Sequence, residues 1–310
     1  MINRFIKPYF LFNPYQLIKA IFYKLRGFPN GSFQIKLPWK HLITSPSTND
    51  FVGHRLLMHG IVSIEACEVA FRLSEVGNTV IDVGANIGVV TSALAQSVGQ
   101  EGKVYSFEAN PKTFKILEEN IKSHPYNQSV QVFNCAISEF EGKTNLVFSD
   151  RSDKNSGEVF VTSKKVSSGD TGLVEGSQVN NVQAIVAKKL DNMIFDSDSI
   201  KLLKIDVERH EYSVLKGAMT YLQDKSIENI FFEDVEQGDT RSKELLWFYN
   251  YNIFSVKMGL IKLKLKYIKP YGYSLEGKSN NYSDFIATLN SEEVLNKFSY
   301  IGYKCFLFNK

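Results

Sequence analysis

Cysteine is scarce in this chain, and cysteine pairs are missing. Three cysteines occur among 310 residues, at Cys67, Cys135 and Cys305, and no two form a Cys-x-x-Cys pair. An odd, widely spaced set argues against a disulfide framework and favours a reducing compartment, so we expect a cytoplasmic protein. The five histidines form no His-Glu-x-x-His pattern, and the sequence predicts no metal site.

Long apolar runs are also missing. No segment is long enough to span a bilayer. The first residues do not resemble a secretion signal, because Pro8, Pro14, Lys19 and Lys24 interrupt the apolar stretch. The composition, 44% hydrophobic and 22% charged, is typical of a folded chain with a sizeable core.

Acidic residues are absent before Asp50, and residues 1–59 form a basic, aromatic-rich N-terminal segment. A short helix is predicted at Gln16–Leu25. The lysines and aromatic residues of 1–28 suit peripheral contact with an anionic surface at the inner face of a membrane. The alternative is an arm that packs its aromatic side chains on the rest of the protein. The remainder of the chain is mildly acidic, so no nucleic-acid partner is expected.

Strand and helix patterns alternate through residues 60–310, which we expect to form one domain. This alternation predicts an α/β fold with a doubly wound, mostly parallel sheet. A β-rich insertion is expected at about 140–190, with a flexible loop near 150–178, and the C-terminus should form an antiparallel hairpin. The predicted main strands are Thr79–Val83, Lys103–Glu108, Ser129–Ile137, Ile200–Val207, Asn229–Glu233, Ile253–Met258, Ile261–Ile268 and Phe285–Leu289. The predicted helices are 60–77, Val89–Ser97, Thr113–Ser123, Tyr212–Gln223 and Thr240–Tyr249.

The strongest signal is the run from Val80 to Gly88, where a buried strand delivers Asp82 into a glycine-containing turn and a helix start. Asn86 occupies the position of the second glycine of a dinucleotide fingerprint, so that pattern does not fit. A carboxylate before the turn would repel a pyrophosphate, but it suits the ammonium group of S-adenosylmethionine. The residues predicted to contact this cofactor are Asp82, Gly84, Ala85, Asn86 and Gly88.

Further cofactor contacts are predicted at the ends of the second and third strands. Glu108 closes the second strand, where a carboxylate can accept hydrogen bonds from a ribose diol, although NAD enzymes use the same device. With Asp82 it favours an adenosyl ligand that has a charged amino-acid tail. Ala109 is expected beside it, and Asn134 and Ala136, at the end of the third strand, are expected near the adenine.

Ionisable residues are dense from Lys204 to Glu211, at the end of a predicted strand, and again at Glu233–Glu236. Open α/β sheets bind ligands at this edge. A simpler explanation is that acidic residues stabilise the start of the next helix. The candidates for catalysis are Lys204, Asp206, Glu208, His210 and Glu233, and Asp206 is also a cofactor candidate.

Four motifs together resemble the FkbM family of methyltransferases. They are Val-Ile-Asp-Val-Gly-Ala-Asn-Ile-Gly at 80–88, Ser-Phe-Glu-Ala-Asn-Pro at 106–111, Leu-Leu-Lys-Ile-Asp-Val-Glu at 202–208 and Phe-Glu at 232–233. The resemblance covers about residues 60–235 and implies a Rossmann-like class I methyltransferase fold. It further implies S-adenosyl-L-methionine as cofactor and a hydroxyl of a sugar, glycan or other small metabolite as acceptor.

One position departs from the family pattern, which usually has Gly after Asp-Val-Glu, whereas this chain has Arg209. This change bears on the acceptor more than on the reaction. An alcohol needs a general base, and we favour a carboxylate of the pair Asp206 and Glu208, with Lys204 keeping it ionised. A divalent metal that orients two hydroxyls would also suit these carboxylates, but the sequence does not predict one.

Other functions remain open at this point. An NAD-dependent sugar-modifying enzyme is disfavoured by Asp82 and Asn86. A non-catalytic adenosyl-fold protein that binds a glycan or partner is disfavoured by the full set of acidic residues after Lys204. Methyl transfer to RNA would require a basic cleft or a recognisable RNA-binding module, and the sequence shows neither.

Overall fold

The computed structural model describes residues 7–149, 159–162, 179–193, 199–235, 241–270 and 282–307. The predicted flexible loop near 150–178 lies outside these residues, apart from 159–162. Glu236 and Thr240 lie outside them as well.

The N-terminal segment contains three helices and a small hairpin, and eight helices follow it within the described residues. The helices are α1 (Pro8–Leu11), α2 (Pro14–Arg26), α3 (Phe51–His59), α4 (Ile64–Leu73), α5 (Val89–Val98), α6 (Pro111–Lys122), α7 (Glu211–Lys216), α8 (Met219–Gln223), α9 (Arg241–Phe248), α10 (Ser291–Ser299) and α11 (Lys304–Leu307).

The strands fall into three sheets. They are β1 (Phe33–Lys36), β2 (Leu42–Ser45), β3 (Thr79–Val83), β4 (Lys103–Phe107), β5 (Val130–Phe133), β6 (Ala136–Ile137), β7 (Gly142–Ser149), β8 (Val159–Thr162), β9 (Val179–Lys188), β10 (Ile200–Ile205), β11 (Ile227–Val235), β12 (Asn252–Met258), β13 (Leu263–Ile268) and β14 (Tyr282–Thr288).

The main sheet has the order β13-β12-β14-β11-β10-β3-β4-β5. Neighbours from β11 to β5 pair in parallel, whereas β14 runs antiparallel between β11 and β12. The chain leaves β3 toward β5 and then returns to β10 and β11 on the other side. This confirms the predicted Rossmann-like, doubly wound fold. The antiparallel C-terminal hairpin is β12–β13.

The centre of the sheet is buried on both faces. All five residues of β3 are buried, and in β10 the neighbours Leu202 and Leu203 belong to two different core clusters. Helices α4 and α5 cover one face, and α7, α8 and α9 cover the other. A strand with helices on both faces needs apolar side chains on both sides, which explains the continuous apolar runs of the sequence.

The predicted third strand is divided between two sheets. Residues of β5 pair with β4, whereas β6 pairs with β9 in a separate four-stranded sheet of order β6-β9-β7-β8. Between them, the Asn134 side chain donates to the carbonyl of Glu108 at 2.8 Å and the chain changes direction. The prediction of one strand over Ser129–Ile137 was therefore wrong, because periodicity alone does not show this turn.

Two predicted helices are also interrupted. The helix expected over Tyr212–Gln223 is divided into α7 and α8 at Gly217, where a Cβ would lie 2.1 Å from the carbonyl oxygen of Ser138. The helix expected over 60–77 is shorter and comprises only Ile64–Leu73. It starts later than predicted because Gly60, with φ of +74°, ends the preceding helix α3. A left-handed glycine is a common helix terminator.

Candidate active site

The turn after β3 forms one wall of a cavity. Gly84 has φ of +80° and lies so close to the next strand end that a Cβ would be 1.8 Å from the carbonyl oxygen of Asp206. Asn86 also has a positive φ, +51°, a conformation that asparagine tolerates better than most residues. Of the residues predicted to contact the cofactor in this turn, Gly84, Ala85 and Asn86 line the cavity, whereas Gly88 starts α5 against Leu117 and lines none of it.

Asp82 does not reach this cavity. Its side chain is fully buried, its Oδ1 lies 2.9 Å from the Lys204 Nζ, and its Oδ2 accepts from the Thr91 hydroxyl at 2.7 Å. The expected contact with an ammonium group of the ligand is therefore corrected: Asp82 lies behind the turn and supports it. Within the folded chain Oδ2 has a hydroxyl donor, and Oδ1 has an ion-pair partner but no hydrogen bond of regular geometry.

The Lys204 side chain contacts both the turn after β3 and the end of β10. Its ammonium donates to the Gly84 carbonyl at 2.7 Å and lies 3.8 Å from the Asp206 carboxylate. Burial opposes its charge, but the carboxylates of Asp82 and Asp206 outweigh burial and raise the pKa of Lys204. A permanently charged lysine beneath the turn is a positioning residue rather than the proton acceptor.

Glu108 lies at the end of β4 and faces the cavity. Its two oxygens accept backbone N–H groups from Asn86 and Asn110, each at 2.8 Å. Burial raises the pKa of Glu108 to about 6, although these two hydrogen bonds act in the opposite direction. Each carboxylate oxygen can accept more than one hydrogen bond, so both remain able to accept from a diol.

The other predicted cofactor contacts, Ala109, Asn134 and Ala136, divide into two groups. Ala109 and Ala136 line the cavity. Asn134 is exposed and does not line it, and its amide donates to the carbonyls of Glu108 and Ala109 at 2.8 and 3.3 Å. Asn134 therefore fixes the strand end that carries Glu108, and the predicted direct contact with the ligand is corrected.

The loop after β10 contributes Asp206, Glu208 and His210 to the same cavity. The His210 Nε2 lies 3.0 Å from the Ser138 hydroxyl, and burial lowers the pKa of His210 to about 4. His210 is therefore uncharged at neutral pH but a weak base, which argues against the catalytic role that the sequence allowed.

A residue next to these sites holds the loop in place. Glu211, at the start of α7, accepts the N–H groups of Val207 and Arg209, both at 3.3 Å. Burial raises its pKa to about 7. Glu211 does not line the cavity, and its hydrogen bonds shape the loop that presents Asp206 and Glu208.

Glu233 lies in β11 and faces the cavity beside Asp206. Burial and, to a smaller extent, the charge of Asp206 raise the pKa of Glu233 to about 7, against the opposing effect of Lys204. A carboxylate that titrates near neutral pH can hold or release a proton under physiological conditions, which is the property of a general acid or base.

Sequence reasoning missed two carboxylates of this cavity, Asp284 and Glu65. Asp284 pairs in register with Glu233 on the neighbouring strand, and burial, Glu65 and Glu233 raise its pKa well above the usual range. Burial also raises the pKa of Glu65, in the first turn of α4. Neither belongs to a motif, since each lies within an ordinary strand or helix pattern.

The cavity has a volume of about 470 Å³, within the usual range for small-molecule sites. Its wall combines the turn after β3, the end of β4, the loop after β10 and the carboxylates of β11 and β14. Among the described residues, no three His, Cys, Asp or Glu side chains are arranged to hold a metal ion.

Similarity to known proteins agrees with this geometry. A family model described as the methyltransferase FkbM domain matches residues 82–252. Over 104 residues the chain is 30% identical to a protein-L-isoaspartate O-methyltransferase from Caenorhabditis elegans, a match that spans 33% of this chain and only 45% of that relative.

Among solved structures, a SAM-dependent O-methyltransferase from Thermotoga maritima shares 15% identity at a TM-score of 0.39, covering 74% of this chain and 65% of that one. An O-methyltransferase from Bacillus cereus in complex with SAH shares 14% identity at 0.38, covering 76% and 84%. The family model covers more than half of the chain and includes the turn, Glu108 and the loop after β10. The family model thus shows that the chain belongs to the FkbM family of methyltransferases.

Proposed function

We propose that this methyltransferase transfers a methyl group to a hydroxyl of a sugar, a glycan or another small metabolite. The observation that carries the proposal is the Glu233 carboxylate, which lines the cavity and has its pKa raised by burial to about 7. An alcohol is a poor nucleophile near neutral pH, and a base of matched pKa removes its proton as the bond forms.

The residues at one part of the cavity wall fit S-adenosyl-L-methionine as the methyl donor. Glu108 supplies acceptor oxygens for a ribose diol, and the turn at Gly84–Asn86 forms the adjoining part of the wall. When bound, S-adenosylmethionine supplies a sulfonium-activated methyl group. The protein then has to orient the acceptor and exclude water. In comparable reactions, orientation of the reactants and exclusion of water lower the activation barrier by on the order of 7–11 kcal/mol.

The proton of the acceptor hydroxyl passes to a carboxylate. Glu233 suits this role better than His210, whose pKa is lowered to about 4. Asp206 lies beside Glu233 and 3.8 Å from Lys204, so its charge helps to keep the pKa of Glu233 near neutrality. Glu208 lines the same cavity, where its carboxylate can accept a hydrogen bond from a further hydroxyl of the acceptor.

The test is the release of S-adenosylhomocysteine with panels of saccharides, nucleotide sugars, phenols and primary amines. We expect turnover with a hydroxyl acceptor, and a rate that rises as pH increases through about 7, because Glu233 must lose its proton to act as a base. Glu233→Gln should lower kcat by about 10²–10⁴-fold and remove this pH dependence.

Glu292→Gln, an exposed substitution on α10, is the control and should leave the rate unchanged. Turnover with amines but no hydroxyl acceptor would overturn the proposal. An unchanged pH profile in Glu233→Gln would remove Glu233 from the role of base.

A further inference from the structure

Helix α2 has a large apolar face that no part of the described protein covers. Its members, which we call the outer face, are Tyr15, Ile18, Ile21, Phe22 and Leu25. They are between 43% and 81% exposed. Spacings of three, four and seven residues place them on one side of an α-helix. A patch of large apolar side chains on the surface of a folded protein usually marks an interaction site.

The opposite side of α2 already makes the contacts that attach the helix. Gln16 and Ala20 are buried there. The Gln16 side-chain amide donates to the Leu57 carbonyl of α3 at 2.5 Å, and Ala20 packs with Phe10 and Met58. Leu17 is half-buried against the same cluster, but the five members of the outer face, all large and apolar, point to the solvent. This is the reverse of an ordinary surface helix, in which the apolar side faces the core.

Basic side chains border the outer face. The Lys19 Nζ lies 5.0 Å from the ring centre of Tyr15, and the Arg26 guanidinium lies 5.7 Å from that of Phe22. No acidic residue occurs in the first 49 residues of the chain. Long basic side chains beside an apolar face can lay their stems on it and extend their charges toward phosphate groups.

We propose that the outer face of α2 docks on an anionic lipid surface, with the helix lying in the interfacial plane. Lipid acyl chains cover the apolar side chains, and lipid phosphates neutralise Lys19 and Arg26. Within the described ranges no helix combines the length and apolarity needed to cross a bilayer, so the contact is peripheral. With 13 residues, α2 is about 20 Å long, which suits a helix that lies on a surface.

Charge distinguishes a lipid surface from a second copy of this chain as the occupant. Two outer faces packed on each other would bring the basic borders of both copies together. The N-terminal segment has no acidic residue before Asp50 that could pair with them. An anionic lipid surface supplies both the apolar cover and the negative charge, and each basic residue near such a surface favours binding.

Flotation of the full chain with lipid vesicles tests the proposal. We expect the protein to float with phosphatidylcholine vesicles that contain about 30 mol% phosphatidylglycerol, to bind phosphatidylcholine alone much more weakly, and to be released by high salt. The double variant Ile18→Glu with Leu25→Glu should lower the partition coefficient at least about tenfold, because two charges would have to enter the interface. Circular dichroism should show an unchanged fold, since both side chains are exposed.

Phe248→Glu is the matched control, because Phe248 is a 76% exposed apolar residue on α9, outside the outer face. It should float like the wild-type protein. Failure of the wild-type protein to float with anionic vesicles would overturn the proposal, and so would an equal loss in Phe248→Glu. If light scattering shows a dimer that Ile18→Glu with Leu25→Glu converts to a monomer, and no flotation occurs, the occupant is a second copy of the chain.

Discussion

At the scale of single residues, the loop after β10 contains two consecutive side chains in left-handed backbone conformation. Glu208 has φ of +52° and Arg209 has φ of +71°. For residues other than glycine this region costs about 1–2 kcal/mol each. The family pattern that the sequence resembles has glycine at the second position, and the structure gives the physical reason for that glycine.

Substitution at this position measures the backbone cost directly. Arg209→Gly should have a free energy of unfolding about 1 kcal/mol higher than that of Arg209→Ala, because only glycine adopts a positive φ without steric conflict. Both variants lose the arginine side chain, so its own contacts cancel in the comparison. Urea unfolding provides the values. Equal stability of the two variants would contradict the left-handed conformation.

The buried pair of Asp82 and Lys204 should contribute to stability rather than contact the cofactor. Asp82→Asn leaves the Lys204 ammonium without its main partner and should lower the free energy of unfolding by roughly 3–5 kcal/mol. The double variant Asp82→Asn with Lys204→Met should recover part of this loss, because the unpaired charge is gone. Urea unfolding of the set gives the coupling energy. A loss below about 1 kcal/mol, as at exposed pairs, would contradict this account.

Residue identities were predictable where a motif carried them. Glu108, Asp206 and the turn at Gly84–Asn86 line the cavity because each follows a buried strand at the same edge of the sheet. Asp82 and Asn134 occupy the predicted positions, but their side chains bond to the protein itself, and sequence does not show the direction of a side chain. Asp284 was not predictable, since its contact with the site depends on pairing with Glu233 across two strands distant in sequence.

At the scale of secondary-structure elements, the junction of α7 and α8 depends on a close approach of two backbones. A Cβ on Gly217 would lie 2.1 Å from the carbonyl oxygen of Ser138, at the start of the inserted sheet. Gly217→Ala should therefore lower the free energy of unfolding by roughly 1–3 kcal/mol. Without this contact the same substitution would stabilise the protein by about 0.4–1 kcal/mol, because Gly217 has an ordinary φ of −80°. The sign of the change, measured by thermal unfolding, decides between the two.

The alternation of strands and helices was predictable from the sequence. A strand that is buried on both faces has a continuous apolar run, whereas a helix that is buried on one face has apolar residues at helical spacing. The breaks at Gly217 and between β5 and β6 were not, since they depend on contacts with segments distant in sequence. The N-terminal hairpin was missed for a similar reason, since it is held by contacts such as the hydrogen bond from the Thr44 N–H to the Asn120 side chain at 2.9 Å. Helix α3 was missed although its signals are local, because the Asp50 side chain accepts the Gly53 N–H at its start and Gly60 ends it.

At the scale of the whole molecule, the parallel sheet brings distant motifs to one edge. Strands β3, β4, β10 and β11 end at the cavity, and the antiparallel β14 adds Asp284 beside them. Ligands bind at this edge in open α/β sheets. Helix α3 of the N-terminal segment connects α2 to the site, since it contacts α2 through Met58 and lines the cavity through Val52 and Arg55.

The central claim is that this cavity binds an adenosyl cofactor through Glu108, and calorimetric titration with S-adenosylhomocysteine and with NAD tests it most directly. We expect micromolar binding of S-adenosylhomocysteine, no heat with NAD, and loss of binding in Glu108→Ala while Glu292→Gln binds normally. Thermal unfolding of Glu108→Ala serves to verify that the variant is folded. Binding of NAD, or no binding of S-adenosylhomocysteine by the folded wild-type protein, would contradict the account.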